Sequence, residues 1–270
     1  VAVLAAGAAL GLAGCSGSAS ETSLTVAGST TVLPIAESAA ELFQEETGVS
    51  VLVSGLGSSA GIEAVQNGTA DIATSSRALS DAEKDYGLDT TVVAYDGIAV
   101  IVNDDNPVTN LTLDELRDIY AGVITNWSEV GGPNLDIQVV NRDEASGTRE
   151  AFKTLVMRGT SFDRSAAVLP GTGQVRDVVS RTPGAIGYIS IGFVSSSFTT
   201  ATVKSLSIDG VAATEDNVEN GTYPIARDLY FFTKGKPSDL AQEYINLVLS
   251  SEMAQTVRDA GYIPASIMDE

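Results

Sequence analysis

The sequence predicts an α/β protein in two lobes, built from two mostly parallel sheets flanked by helices, with a ligand cleft between the lobes. Three observations carry that expectation. Strand-like and helix-like patterns alternate along the chain. Two continuous apolar runs, Ile98–Val102 and Leu229–Phe232, read as buried strands of a mostly parallel sheet. The length of 270 residues exceeds one typical lobe. It suits a chain that crosses to a second lobe near 97–104 and returns near 223–230.

The elements follow in order. Ser23–Val26 reads as a short strand, and Ile35, Ala39, Leu42 and Phe43 then share one helical face. Val49, Val51 and Val53 alternate as in a strand. Residues 59–67 read as a helix stopped by Asn67-Gly68, and Asp71–Ser75 as a strand. Thr112-Leu113-Asp114-Glu115 is a capping box that opens a helix with Leu113, Leu116, Ile119 and Tyr120 on one side. Ile137–Val140 reads as a strand, residues 147–157 as a helix, and Ala185–Ile189 as a strand after the Pro183-Gly184 turn. Ser238 caps a last helix in which Leu240, Tyr244, Leu247 and Val248 share a face.

One local motif occurs three times. Gly28-Ser29-Thr30-Thr31, Gly55-Leu56-Gly57-Ser58-Ser59-Ala60-Gly61 and Ala145-Ser146-Gly147-Thr148 each join a strand to a helix N-terminus. The first N–H groups of a helix lack intrahelical partners, and the macrodipole puts partial positive charge there. Glycine allows close backbone approach, and hydroxyls add rotatable donors. Any one such turn alone is an ordinary N-cap. Three at the C-terminal ends of strands, where α/β sheets bind ligands, point to an oxyanion. Arg142, four residues before Ser146, can add a bidentate charge-assisted bond. Arg77 follows another strand, and Arg149 lies in a helix's first turn, where a cation opposes the dipole.

Composition narrows the function. Histidine is absent, which excludes a Ser-His-Asp triad and a His-ligated metal site. The single cysteine, Cys15, excludes an internal disulfide and a CxxC pair. No cofactor is expected: neither GxxxxGK[ST] nor a GxGxxG between strand and helix occurs. The formal net charge of −20 repels nucleic acid, so none is expected as a partner. Surface carboxylates are screened over a Debye length of ~8–10 Å, whereas backbone dipoles in a dry cleft are not. Residues 1–14 are uncharged and shorter than the ~20 residues of a spanning helix, and read as the remnant of a secretory signal. Leu12-Ala13-Gly14-Cys15, followed by a Ser/Gly tether over 15–21, resembles a lipoprotein attachment site. A lipid on Cys15 would hold the domain at the outer face of the cytoplasmic membrane.

These residues resemble the periplasmic phosphate-binding proteins of high-affinity phosphate ABC transporters. The likeness runs from about Leu24 to Pro264. It is carried by Val26-Ala27-Gly28-Ser29-Thr30-Thr31-Val32, Gly57-Ser58-Ser59-Ala60-Gly61, Arg142-Asp143-Glu144-Ala145-Ser146-Gly147-Thr148-Arg149 and Pro183-Gly184-Ala185-Ile186-Gly187-Tyr188. The resemblance implies a type II periplasmic-binding fold and a monomer, whose lobes close over inorganic phosphate and deliver it to permease subunits. It implies residues 22–98 with 227–270 as one lobe and 99–226 as the other. By position it implies Thr30, Thr31, Ser58, Ser76 and Arg77 as ligands from the first lobe, and Arg142, Ser146, Gly147 and Thr148 from the second. The best-known members carry an aspartate where Ser76 stands, and it accepts the ligand's proton. Here Glu144 or a serine hydroxyl takes that role. Another tetrahedral oxyanion (sulfate, molybdate or tungstate) and a phosphatase on a related scaffold are the alternative functions.

Overall fold

The computed structural model describes residues 23–194 and 202–268. The expected signal remnant, Cys15 and the tether lie outside the described residues.

Strand β1 (Ser23–Gly28) leads through the first turn into α1 (Leu33–Thr47), then β2 (Ser50–Gly55), α2 (Ser58–Gln66) and β3 (Ile72–Ser75). Strand β4 (Leu88–Asn103) follows. Next come β5 (Asn110–Leu111), α3 (Leu113–Tyr120), β6 (Gln138–Arg142) and α4 (Gly147–Phe152). The chain continues through β7 (Ala167–Leu169), α5 (Thr172–Arg181), β8 (Ala185–Ser190), β9 (Val203–Ser205), β10 (Ser207–Ile208) and α6 (Glu215–Glu219). It returns along β11 (Ala226–Lys234) to α7 (Asp239–Val248), α8 (Ser251–Asp259) and β12 (Ile263–Pro264).

One curled sheet runs in the order β2-β1-β3-β11-β4-β8-β6-β7, with β9 and β12 also on β4 and a separate β5–β10 pair. The outer strands are parallel, β2 to β1 to β3 at one end and β8 to β6 to β7 at the other. The centre is different. Strand β4 is antiparallel to β11, β8, β9 and β12. The Ile98–Val102 run is buried as expected, as is Leu229–Phe232 apart from the half-buried Tyr230, but their neighbours run the opposite way. Burial on both faces requires apolar residues whatever the direction of the adjacent strand, so composition carried no directional signal.

Strand β4 joins the two halves. Residues up to Gly97 pair with β11, and Ile98 onward pair with β8. Three apolar clusters among the described residues follow this division. Two lie in the first half, one with Leu24, Ile35, Phe43, Leu229 and Tyr244 and a smaller one with Ala27, Ile62, Val65 and Phe232; the third holds Ile98–Val102, Tyr120, Trp127, Phe152 and Tyr188. The Thr112–Glu115 capping box is present, with Glu115 N–H donating to Thr112 Oγ1 at 3.1 Å. The expected helix over 147–157 is α4 followed by a π-helical turn, Lys153–Met157. Phe152 at the junction stacks on Tyr188 with ring centroids 4.2 Å apart.

The turn after β3 is held by a charge pair. Arg77 Nη1 and Nη2 donate to the two carboxylate oxygens of Glu83 at 2.6 and 2.8 Å, and Nη2 also donates to Ser59 Oγ at 2.9 Å. Glu83 additionally accepts from Ser80 N–H at 2.7 Å. Burial alone would raise the Glu83 pKa, but the Arg77 and Ser80 bonds bring it down to about 2. A folded-state pKa below the unfolded 4.5 means that Glu83 adds stability above about pH 4.5, and loses it as pH falls towards 2. Discounted for partial solvation, that contribution is on the order of 2 kcal/mol. The stability gap between the wild-type protein and Glu83→Gln, measured by urea unfolding, should therefore be full at neutral pH and close in acid. A gap independent of pH would show that Glu83 is not held as an ionised partner.

Candidate functional site

Each of the three serine/threonine-glycine turns sits at a strand's C-terminal end, and the fold brings them together. In the first, Ser29 Oγ accepts from the N–H groups of Thr31 and Val32 at 3.1 and 3.4 Å. Ser29 is thus spent on the turn, and Thr30 and Thr31 are the hydroxyls presented beyond it. In the second, Gly57 adopts φ 97° and packs against Ala145, where a Cβ would lie 2.8 Å from the Ala145 carbonyl oxygen. Ser59 N–H donates to that carbonyl at 3.1 Å, so the second and third turns touch across the cleft. In the third, Ser146 caps α4 by accepting from Arg149 N–H at 3.2 Å. Gly147 has no room for a side chain: a Cβ would stand 2.3 Å from Ser58 Oγ and 2.7 Å from Ser76 Oγ.

The result is a buried cluster of hydroxyls from both halves. Thr31 Oγ1 lies 3.1 Å from Thr148 Oγ1, and Ser58 Oγ lies 3.4 Å from Ser76 Oγ. Ser76 N–H donates to Ser58 Oγ at 3.1 Å. Thr31, Ser58, Ser76, Ser146 and Thr148 are all buried.

Arg142 ends β6 inside this cluster and is only 2% exposed. Its Nη2 donates to Thr30 Oγ1 at 3.2 Å and to the Pro170 carbonyl at 2.7 Å. Nη1 donates to Thr172 Oγ1 at 3.2 Å, and Nε to the Leu169 carbonyl at 3.2 Å. All four acceptors are neutral. Among the described residues no carboxylate forms an ion pair with Arg142, whereas Arg77 has Glu83 and Arg227 has Asp96. Burial pulls the Arg142 pKa below its ordinary value, and Tyr188 and Asp143 work against that pull. Arg142 is thus a desolvated cation whose fork meets two hydroxyls and two backbone carbonyls, an arrangement that favours a nearby anion electrostatically.

Two residues expected in the site stand outside it. Arg77 is turned to Glu83, because a carboxylate six residues along the same loop satisfies its fork at less cost than a diffusing anion. Glu144 is exposed at the outer corner of the third turn, where Ser146 N–H bonds back to the Asp143 carbonyl. Arg149 lies with its guanidinium carbon 4.8 Å from the Phe162 ring centroid, a cation–π contact that explains a cation in a helix's first turn.

Three participants were missed in the sequence. Thr172 opens α5 after β7 and lies 3.0 Å from Thr30 Oγ1. Leu169-Pro170-Gly171-Thr172 is a fourth strand–turn–helix junction, and that signal was present in the sequence. Arg227 and Asp96 sit beneath the cluster as opposite residues of β11 and β4. They are 131 positions apart, with no local pattern to pair them. Burial pushes the Asp96 carboxyl up, and the Arg227 charge and the Ser190 hydroxyl oppose the push.

Comparison with known proteins places the chain in a family. The model of the PBP superfamily domain matches residues 15–252. Phosphate-binding protein PstS of Bacillus subtilis is 35% identical over 253 residues, covering 91% of this chain and 82% of that protein. Phosphate-binding protein PstS of Borreliella burgdorferi is 31% identical, covering 92% of each. Among solved structures, a Clostridium perfringens protein crystallised with bound phosphate superposes with a TM-score of 0.84 at 36% identity, over 90% of this chain and 99% of that one. An ABC-type phosphate transport receptor from Vibrio cholerae gives 0.73 at 35% identity, over 89% and 99%. The chain belongs to the PBP superfamily and, within it, to the family of phosphate-binding protein PstS.

Proposed function

We propose that this protein captures inorganic phosphate outside the cytoplasm for an ABC importer, without chemical transformation of the ligand. The observation that carries this reading is Arg142, a buried cation with only neutral partners among the described residues, set among hydroxyls from both halves of the sheet. The relatives named for phosphate binding, and the neighbouring structure that holds phosphate, support the same ligand. The ligand is held between a lobe of 22–98 with 227–270 and a lobe of 99–226, a division that the exchange of β11 for β8 along β4 supports. A monomer tethered through a lipid on Cys15 delivers phosphate to permease subunits. No helix among the described residues is long and apolar enough to cross a membrane. Catalysis would need a nucleophile beside a base or a metal; the sequence has no histidine, and among the described residues no three Asp, Glu or Cys side chains gather as metal ligands.

Calorimetry on the domain from about Ser16 tests the ligand. Phosphate should bind more tightly than sulfate, molybdate or tungstate, and a phosphate ester should be left intact. Arg142→Ala should weaken phosphate at least about tenfold, since a bond to a charged group contributes ~1.5–3 kcal/mol. Arg142→Lys should also weaken it, because an ammonium lacks the planar fork. Absence of binding to any of these oxyanions would overturn the reading.

Selectivity for phosphate over sulfate needs an acceptor for the ligand's proton. Ser76 takes that role in preference to the exposed Glu144. Ser58 Oγ already receives Ser76 N–H, while Ser76 Oγ meets only the Ser58 hydroxyl and keeps a lone pair for the ligand. Competition binding should show that Ser76→Ala narrows the phosphate/sulfate ratio and that Glu144→Gln leaves it unchanged. The reverse pattern would return the role to Glu144.

A further inference from the structure

Beneath the hydroxyl cluster, at the point where β4 passes from one half of the sheet to the other, lies a second buried guanidinium. Arg227 Nε and Nη2 both donate to Asp96 Oδ2, at 2.9 and 2.7 Å. Asp96 Oδ1 accepts from Ser190 Oγ on β8 at 2.7 Å. The Arg227 and Asp96 side chains are 4% and 0% exposed. The rest of the Arg227 fork reaches upward. Nη1 donates to the Ser76 carbonyl at 3.2 Å, and Nη2 to Thr31 Oγ1 at 3.3 Å.

A guanidinium has no acceptor atom, so the Arg227–Thr31 bond has a fixed polarity. Thr31 Oγ1 must accept from Arg227. Its own hydrogen is then directed away from Arg227, towards Thr148 Oγ1 or an anion among the hydroxyls. Tyr262 fixes the same residue from behind by donating to the Thr31 carbonyl at 2.7 Å. The same fork holds the backbone of Ser76. Asp96 cancels the Arg227 charge within the same buried layer, so the net positive charge facing a ligand is that of Arg142.

We propose that Arg227, neutralised by Asp96, is a positioning residue of the anion site: it fixes Thr31 as a donor and holds Ser76 in place, while Asp96 keeps the charge at the site from doubling. The inference rests on the phosphate reading above. It makes Asp96 a brake on anion affinity and Arg227 a support for it. The two members of one ion pair should therefore act on binding with opposite signs. A pair that serves only the fold would lower stability in either variant and would not separate their effects on affinity.

Phosphate calorimetry at fixed pH and salt tests this on Asp96→Asn, Arg227→Lys, Thr31→Val and the Arg227→Lys/Thr31→Val double variant, with folding checked by circular dichroism. Arg227→Lys keeps the charge, but a single ammonium cannot serve Asp96, Ser76 and Thr31 together. It should weaken phosphate roughly tenfold. Most of that loss should vanish in the Thr31→Val background, because the hydroxyl through which Arg227 acts is gone. Asp96→Asn should tighten phosphate binding even as thermal stability falls. Wild-type affinity in Arg227→Lys, an undiminished loss in the Thr31→Val background, or weakening by Asp96→Asn would overturn the proposal. If Asp96→Asn does not fold, the Arg227→Lys/Thr31→Val comparison decides alone. Failure of the wild-type protein to bind phosphate would instead remove the functional reading on which the inference rests.

Discussion

A guanidinium buried to the depth of Arg142 must be compensated, and that requirement organises the site. Removing such a charge from water costs several kcal/mol, and neutral carbonyls and hydroxyls return only part of it. The fold meets the same requirement in two other ways nearby. Arg77 receives Glu83 from its own loop, and Arg227 receives Asp96 from the adjacent strand. Arg142 alone among these three is surrounded by neutral oxygens. The difference separates a cation left without a carboxylate from two whose charge a carboxylate already meets, although all three lie at or near the ends of strands.

The acidic surface and the anion site do not conflict, because they act over different distances. A net charge of −20 is spread over a solvated surface and screened within about a Debye length. Arg142, the hydroxyls and the helix ends act over hydrogen-bond distances in a buried site. Short-range, directional donors then outweigh a distant diffuse repulsion.

Strand β4 gives this arrangement its geometry. It pairs with β11 on one side of Gly97 and with β8 on the other, so both halves of the sheet share one backbone. Asp96 lies at that exchange and touches Arg227 from β11 and Ser190 from β8. The same residue thereby links the strand crossing to the turn that carries Thr31. Tight contact across the cleft follows from small residues: Gly57 against Ala145, and Gly147 against Ser58 and Ser76, leave space only where no side chain intervenes.

Much of this was legible in the sequence because it is local. The three turns, the Thr112–Glu115 box and the Ser238 cap are read from residues within a few positions of each other, where chain geometry allows only a few outcomes. Thr30, Thr31, Ser58, Ser146, Gly147 and Thr148 lie in those turns and Arg142 just before one, while Ser76 follows only from the family resemblance; the fold gathers all of them. What only the tertiary structure decided is long-range. The antiparallel centre of the sheet was invisible, since an apolar run is required by burial on both faces and not by strand direction. The partners of the arginines were invisible too. Whether a cation meets Glu83, Asp96 or no carboxylate at all depends on which side chains the fold brings within about 3 Å, and for Arg227 that partner is 131 residues away. Amino-acid type determined that these groups carry charge and can donate hydrogen bonds. Packing alone determined where each charge is satisfied, because an ion pair is a property of distance in space and not of position along the chain.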